Sequence, residues 1–352
     1  MISLPTSAEE NTDLSKIHID RDTEVKKALD AIVKQKHNVL VHGEKGVGKT
    51  HLAKIIYSIL TKNANVFASF ISVPELRSYY PSEPNKAFPR AVLLHLCIDI
   101  WKTIFKKDIL DMQSKKTMLG KFKVFENRRK RKLREIYRFL MSDQVFDQYS
   151  FSSSGGIKQI AEASLSESAA ISSTKAGVLP FEFSEYAEIL ANDIVSHYNK
   201  DRIIVFFDNA NNMPSNDQQE ILEVYLSLFL ERNIQIVFIG GKLPWESFSF
   251  VSDGFQTQIK LLGFSDCELT RKFIDKMMPE GYTLRIRLYD ELHYHYSGHP
   301  RKIQNCLIKA LVYCEKYSVS KISNKIMKMA IEETDFEYKV MDDIFKREGH
   351  TK

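Results

Sequence analysis

Gly43-Glu44-Lys45-Gly46-Val47-Gly48-Lys49-Thr50 reads G-x-x-x-x-G-K-T, and this octapeptide decides the fold. Upstream, Asn38-Val39-Leu40-Val41-His42 is a short apolar run of strand length. Downstream of His51, Leu52, Ile55, Ile56, Ile59 and Leu60 recur at helical spacing. Strand, glycine-rich turn and helix in that order supply the context the motif needs. Gly43, Gly46 and Gly48 let the backbone wind so that successive N–H groups face one anion, and the following helix adds its positive end. In that arrangement Lys49 reaches the β- and γ-phosphates of ATP and Thr50 holds Mg2+. Glu44, Lys45, Val47 and His51 complete the expected nucleotide lining.

The chain has 352 residues, enough for two or three domains with ordinary cores. A hydrophobic fraction of 43% beside 27% charged residues is that of a globular protein, which sets aside a disordered chain. The net charge of +5 is too mild to name a partner. Cys97, Cys267, Cys306 and Cys314 form no C-x-x-C pair, so the sequence predicts buried thiols in a reducing compartment and no metal framework. The first residues lack the charge and apolar pattern of a secretory signal, and no apolar run reaches the length of a membrane span. A cytoplasmic protein with no membrane contact is expected.

Along the chain, Asp20 to Thr23 offers helix-start chemistry for a helix through Val25, Leu29 and Ile32. Val66 to Val73 is a strand candidate ended by Pro74, and Ala91 to Ile104 reads as a helix. Arg202-Ile203-Ile204-Val205-Phe206-Phe207-Asp208 is a continuous apolar run ending in an acid, the pattern of a strand covered on both faces. The stretch between Thr50 and Asp208 is far longer than a minimal phosphate-loop core requires, which predicts an insertion at about 106–190. Lys116 to Met141, with its cations concentrated from Lys121 to Arg134, is strongly basic with interleaved Phe122, Phe125, Leu133, Ile136, Tyr137 and Leu140 and reads as a charged helix, and Ser150 to Ser173 is serine-rich. A helix over Gln218 to Leu230 and strands over Ile234 to Ile239 and Thr257 to Leu262 follow. Ser265 and Glu268 form an S-x-x-E capping box, and helical patterns cover 285–296, 300–313 and 324–333. The expected division is an N-terminal segment and helix at 1–36, a core at 37–264, a helical lid at 265–335 and a tail at 336–352. The fold class is α/β: a parallel sheet sandwiched by helices, with a C-terminal all-helical lid.

Three positions beyond the loop are candidates for chemistry. Asp208 ends its strand on the side where parallel sheets present ligand groups, so it pairs with Thr50 as the second Mg2+ residue. Gly240-Gly241 stands where a polar group would sense the γ-phosphate, leaving Lys242 as the nearest cation. Ser297-Gly298-His299-Pro300-Arg301 joins two helices, with Gly298 suited to end the first and Pro300 to start the second. Arg301 then projects from a helix start, within reach of phosphate oxygens.

Taken together, Ile19 to Asp22, the loop, the Asp208 strand, Leu262-Gly263-Phe264-Ser265 and the Gly298-x-Pro300-Arg301 turn resemble the AAA+ and STAND-type ATPases, especially the branch holding origin-recognition and transposon target-selection ATPases. The resemblance covers about residues 15–76 and 195–335. It implies that Arg301 is the sensor-two arginine and that Pro300 packs near adenine. Two departures stand out. Asn209 follows Asp208 where relatives commonly carry glutamate; an amide can orient a water but cannot take its proton. Arg232 is the sole arginine-finger candidate.

These readings predict an ATP-dependent switch whose nucleotide state controls assembly with itself, as a homo-oligomer, or with an effector protein, with catalytic roles for Lys49, Asp208, Asn209 and Arg301. A DNA-handling ATPase using Lys121 to Arg134 is the alternative from a different class. A small-molecule kinase is a third, disfavoured by the separate helical lid.

Overall fold

In the computed structural model, residues 21–62, 65–79, 88–106, 128–141, 180–210, 228–229, 234–241 and 254–347 are described. The chain divides into two compact units. One comprises Met1–Lys62, Asp208–Asn211 and Val237–Lys352, the other Asn63–Phe207 and Asn212–Ile236.

The first helix, α1 (Asp22–Leu29), passes through a π-helical turn, Asp30–Gln35, to β1 (Val39–Gly43) and α2 (Lys49–Thr61). Next come β2 (Val66–Ser72), α3 (Val73–Tyr79), α4 (Phe88–Thr103), α5 (Arg128–Met141) and α6 (Pro180–Glu188), then β3 (Arg202–Asp208), β4 (Ile234–Gly240) and β5 (Thr257–Leu261). The C-terminal region holds α7 (Cys267–Met277), β6 (Thr283–Leu284), α8 (Ile286–Tyr296), α9 (Pro300–Lys316), β7 (Lys321–Ile322) and α10 (Asn324–Arg347). The five long strands form a parallel sheet in the order β2-β3-β4-β1-β5.

In the first unit, β1 lies between parallel neighbours, with Leu40 opposite Phe238 of β4 and Gln258 of β5. Val39, Leu40 and Val41 are buried, as a strand covered on both faces requires. Apolar positions at helical spacing on α7 to α10 close a second core around Ile274, Leu292, Ile303, Cys306 and Met327. β6 and β7 pair in parallel across its edge, a short pairing the sequence reading did not anticipate. Tyr338 of α10 accepts a hydrogen bond from Asn305 of α9 at 3.1 Å, and Lys302 lies over its ring. Beyond it, Val340, Met341 and Ile344 are exposed.

In the second unit, α4 is apolar around its circumference, from Ala91 and Leu93 to Ile100 and Trp101, and is accordingly buried. Against it, α5 turns Leu133, Ile136, Tyr137 and Leu140 inward.

Several expectations are corrected in detail. The strand from Val66 stops at Ser72, and Val73 already opens α3. The N-cap of α1 is Arg21, which makes no side-chain cap; it instead donates to Leu262 O at 2.6 Å and lies over Phe264. The cap of α7 is Asp266, whose Oδ1 accepts the Leu269 N–H at 2.9 Å, while Ser265 donates to Asp266. A carboxylate at that position competes well with a hydroxyl for the free helix N–H groups. The last helix continues past Glu333 to Arg347. The serine-rich stretch, most of the Gln218–Leu230 helix, Arg232 and Lys242 lie outside the described residues.

Candidate nucleotide-binding site

The glycine-rich loop leaves β1 and enters α2 with Gly46 at φ 93° and Gly48, the α2 N-cap, at φ 98°. Side chains rarely adopt that region, and here it turns the loop so that α2 starts directly beneath it. Lys49 Nζ donates to Gly43 O at 3.0 Å and to Glu44 O at 2.6 Å, which holds the ammonium along the loop backbone. Burial pushes the Lys49 pKa down to about 8; Asp208 opposes the shift and Arg301 adds to it.

Asp208, 3% exposed, ends β3. Its Oδ1 accepts the Thr50 hydroxyl at 2.9 Å, so the two residues assigned to the metal from sequence do meet. Asn209 follows in the left-handed region at φ 54°, a conformation that asparagine tolerates better than glutamate. The backbone therefore gives its own reason for an asparagine here, independent of chemistry. His51 lies in the first turn of α2, facing partly inward.

The turn from α8 into α9 reaches the loop. A Cβ added to Gly46 would lie 2.6 Å from Arg301 Cβ, 2.8 Å from Arg301 Cδ and 3.0 Å from His299 Cε1. The absence of a side chain at Gly46 is thus what lets α9 rest its first turn on the loop. Pro300 occupies the first helical turn of α9, where its missing N–H costs nothing. No sequence pattern singles out His299. It is 7% exposed, caps α9 by accepting the Lys302 N–H on Nδ1 at 3.4 Å, and sets Nε2 4.0 Å from Glu44 Oε2. A histidine where serine, threonine, asparagine or aspartate usually caps was the available signal.

The basic segment is described from Arg128 onward. On α5, Arg129 Nε donates to Asp193 O at 3.0 Å, Lys132 pairs with Asp193, Lys130 lies over Phe105 and Arg131 faces Glu135. Arg134 lies over Trp101. Four of the five consecutive cations, Arg128 to Lys132, thus have partners inside their own unit. Lys121 and its neighbours up to residue 127 lie outside the described residues. No helix among the described residues is long and apolar enough to cross a membrane.

Comparison with known proteins supplies the family context. The Sigma-54 interaction domain family matches residues 18–74, the stretch that carries β1, the loop and α2. No curated protein matches the sequence. Among solved structures, the chain is similar to the Walker-type ATPase PABY2304 of Pyrococcus abyssi, with a TM-score of 0.51 at 13% identity over 95% of this chain and 77% of that one. It is also similar to the Aeropyrum pernix ORC1 protein solved in complex with DNA, with a TM-score of 0.50 at 13% identity over 92% and 68% of the two chains. The Aeropyrum pernix ORC2 protein in its ADPNP-ADP complexes gives 0.48 at 11% identity, and this chain spans 66% of its length. With a parallel sheet in the order β2-β3-β4-β1-β5, a glycine-rich loop entering α2 and a C-terminal helical region, the chain has the fold of the AAA+ P-loop ATPases.

Proposed function

We propose that the chain is an ATP-binding switch that hydrolyses its nucleotide slowly. The observation that carries this reading is the contact of the lid turn with the phosphate loop, Arg301 Cβ and Cδ lying where a side chain of Gly46 would be. A phosphate group held by the loop is then within the surroundings of a lid cation, so lid position and nucleotide state are linked.

The residues present fit ATP and Mg2+. The loop from Gly43 to Thr50 offers backbone N–H groups, the α2 N-terminus and the Lys49 ammonium to an anion. Thr50 Oγ1 and Asp208 Oδ1 are hard oxygen donors 2.9 Å apart, close to the roughly 3 Å between neighbouring ligands of an octahedral ion with bonds of about 2.1 Å. Bound there, the ion would neutralise phosphate charge. Lys49 orients the β- and γ-phosphates, Arg301 adds a second cation from the lid, and Pro300 sits beside it for the base. Asn209 can hold a water by its amide but supplies no base, which favours retention of ATP over rapid turnover. On this reading the helical region is the lid, and ATP-bound and ADP-bound forms differ in assembly, with a second copy or an effector protein. A nucleic-acid function through Lys121 to Arg134 gains no support from α5, whose cations are spent on Asp193, Phe105 and Glu135.

The test is to measure oligomeric state and compactness by light scattering and small-angle scattering with Mg2+ and ATP, ADP or no nucleotide, beside single-turnover hydrolysis. The switch reading expects tight ATP binding, slow hydrolysis and a nucleotide-dependent change in assembly or shape. Identical behaviour in all three conditions refutes it.

A further inference from the structure

The turn from α8 into α9 is held from two sides. Behind it, Phe264 N–H donates to Gly298 O at 2.8 Å. A Cβ on Gly263 would fall 2.4 Å from Ser297 O, and one on Gly298 2.3 Å from Phe264 O, so two backbones cross where no side chain fits. In front of the turn lies the phosphate loop, met by Arg301 and by His299, the residue that caps the helix.

Its two ring nitrogens serve two elements. Nδ1 accepts the Lys302 N–H, which fixes the start of α9. In the neutral ring this acceptor role places the proton on Nε2, and Nε2 is the nitrogen turned toward Glu44 of the loop at 4.0 Å. A hydrogen bond with the Lys45 backbone also favours a proton on the ring, while burial and the Lys302 charge hold the imidazole neutral. Cε1 completes the contact against Gly46. Asparagine, aspartate or serine would cap α9 at least as well, but none of them reaches the loop. The second nitrogen accounts for the choice of histidine.

We propose that His299 is a positioning residue that ties the lid turn to the phosphate loop, holding Arg301 over Gly46. This rests on the nucleotide site proposed above and assigns it a residue that sets lid position without touching the reacting atoms.

The test uses the full chain with His299→Asn and His299→Gln. Asparagine presents an acceptor near Nδ1 and stops short of the loop. Glutamine extends a donor near the Nε2 position and gives up the cap. Two measurements are made: affinity for a slowly hydrolysed ATP analogue with Mg2+ by calorimetry, and hydrogen exchange of the amides at 44–48 without nucleotide. His299→Asn is expected to melt like wild type, bind about tenfold more weakly, the size of one lost hydrogen bond, and exchange faster at 44–48. His299→Gln is expected to melt lower yet keep most of the affinity and the protection. Wild-type exchange and affinity in His299→Asn overturn the proposal, as does loss in both variants in proportion to their melting temperatures. If wild type binds no nucleotide, the nucleotide reading fails, and the exchange measurement alone decides whether His299 ties the turn to the loop.

Discussion

Gly46→Ala is the sharpest probe of the lid-to-loop contact, because its cost has two separable parts. Alanine at φ 93° carries backbone strain of about 1–2 kcal/mol wherever the lid lies. The added Cβ also falls 2.6 Å from Arg301 Cβ and 2.8 Å from Cδ, well inside the 3.4 Å at which ordinary contact begins. Cδ can swing aside, but Cβ is fixed to α9, so the loop or the helix must shift, at about 1–3 kcal/mol for overpacking of this kind. The sum lowers the melting temperature by on the order of 10 °C at roughly 2–4 °C per kcal/mol. Arg301→Gly removes both offending atoms and leaves the backbone strain in place. A double-mutant cycle of Gly46→Ala and Arg301→Gly, read by urea denaturation, should therefore show a coupling of at least about 1 kcal/mol, the double mutant being more stable than the sum of the singles. Additivity within about 0.5 kcal/mol would mean that Arg301 does not rest on the loop, and the switch would lose its carrying observation.

Further outcomes follow from the same site. ATP affinity should fall as pH rises from 7 to 9, because Lys49 loses its charge near pH 8; Lys49→Ala should be weak and flat across that range in the same calorimetric titration. For stability the sign is opposite: between the folded value of about 8 and the ordinary value of 10.5, the unfolded chain binds the extra proton, so this group's contribution to folding rises with pH. Asp208→Asn and Thr50→Val should remove most of the Mg2+ dependence of ATP binding, leaving magnesium-free ADP affinity within a few-fold; unchanged Mg2+ dependence would move the ion elsewhere. Asn209→Glu should raise steady-state turnover while lowering stability by about 1 kcal/mol through its left-handed backbone, with Asn209→Gly as the control that relieves strain without adding a base. Equal turnover in all three would exclude the missing carboxylate as the brake. His299, held neutral by burial and Lys302 and facing Glu44 and the Lys45 backbone, should become a donor on both nitrogens as pH drops through its depressed pKa. The α9 cap is then lost, and stability falls by about 0.5–2 kcal/mol on the acid side in wild type but not in His299→Asn.

What could be read in the sequence was whatever depends on neighbours in the chain. The loop, the apolar β3 run ending in Asp208, and Pro300 at the start of α9 are local patterns, and each sits where its pattern says. The buried face of α5 was equally visible as Leu133, Ile136, Tyr137 and Leu140 at helical spacing. The fate of its cations was not, since Asp193, Phe105 and Trp101 are remote in sequence and a run of arginines looks the same whether it faces phosphate or its own protein. The α7 cap turned on a contest between adjacent Ser265 and Asp266 that only backbone geometry settles. His299 stayed hidden because its partner, the loop from Glu44 to Gly46, is remote in sequence, and Gly46, against which its ring packs, carries no side chain to signal the contact.

The length of α10 has a dynamic consequence. Its 24 residues span about 36 Å, but the last anchor to a neighbouring helix described here is Tyr338, and the residues from Lys339 to Ile344 are all exposed. A few helical turns held by their own hydrogen bonds alone are marginal in water. Amide protection should therefore decay along this one helix, from slow exchange around Met327 and Ala330 in the packed half to exchange near the rate of free peptide at its tip. Any ligand that settles on Val340, Met341 and Ile344 would announce itself by flattening that gradient.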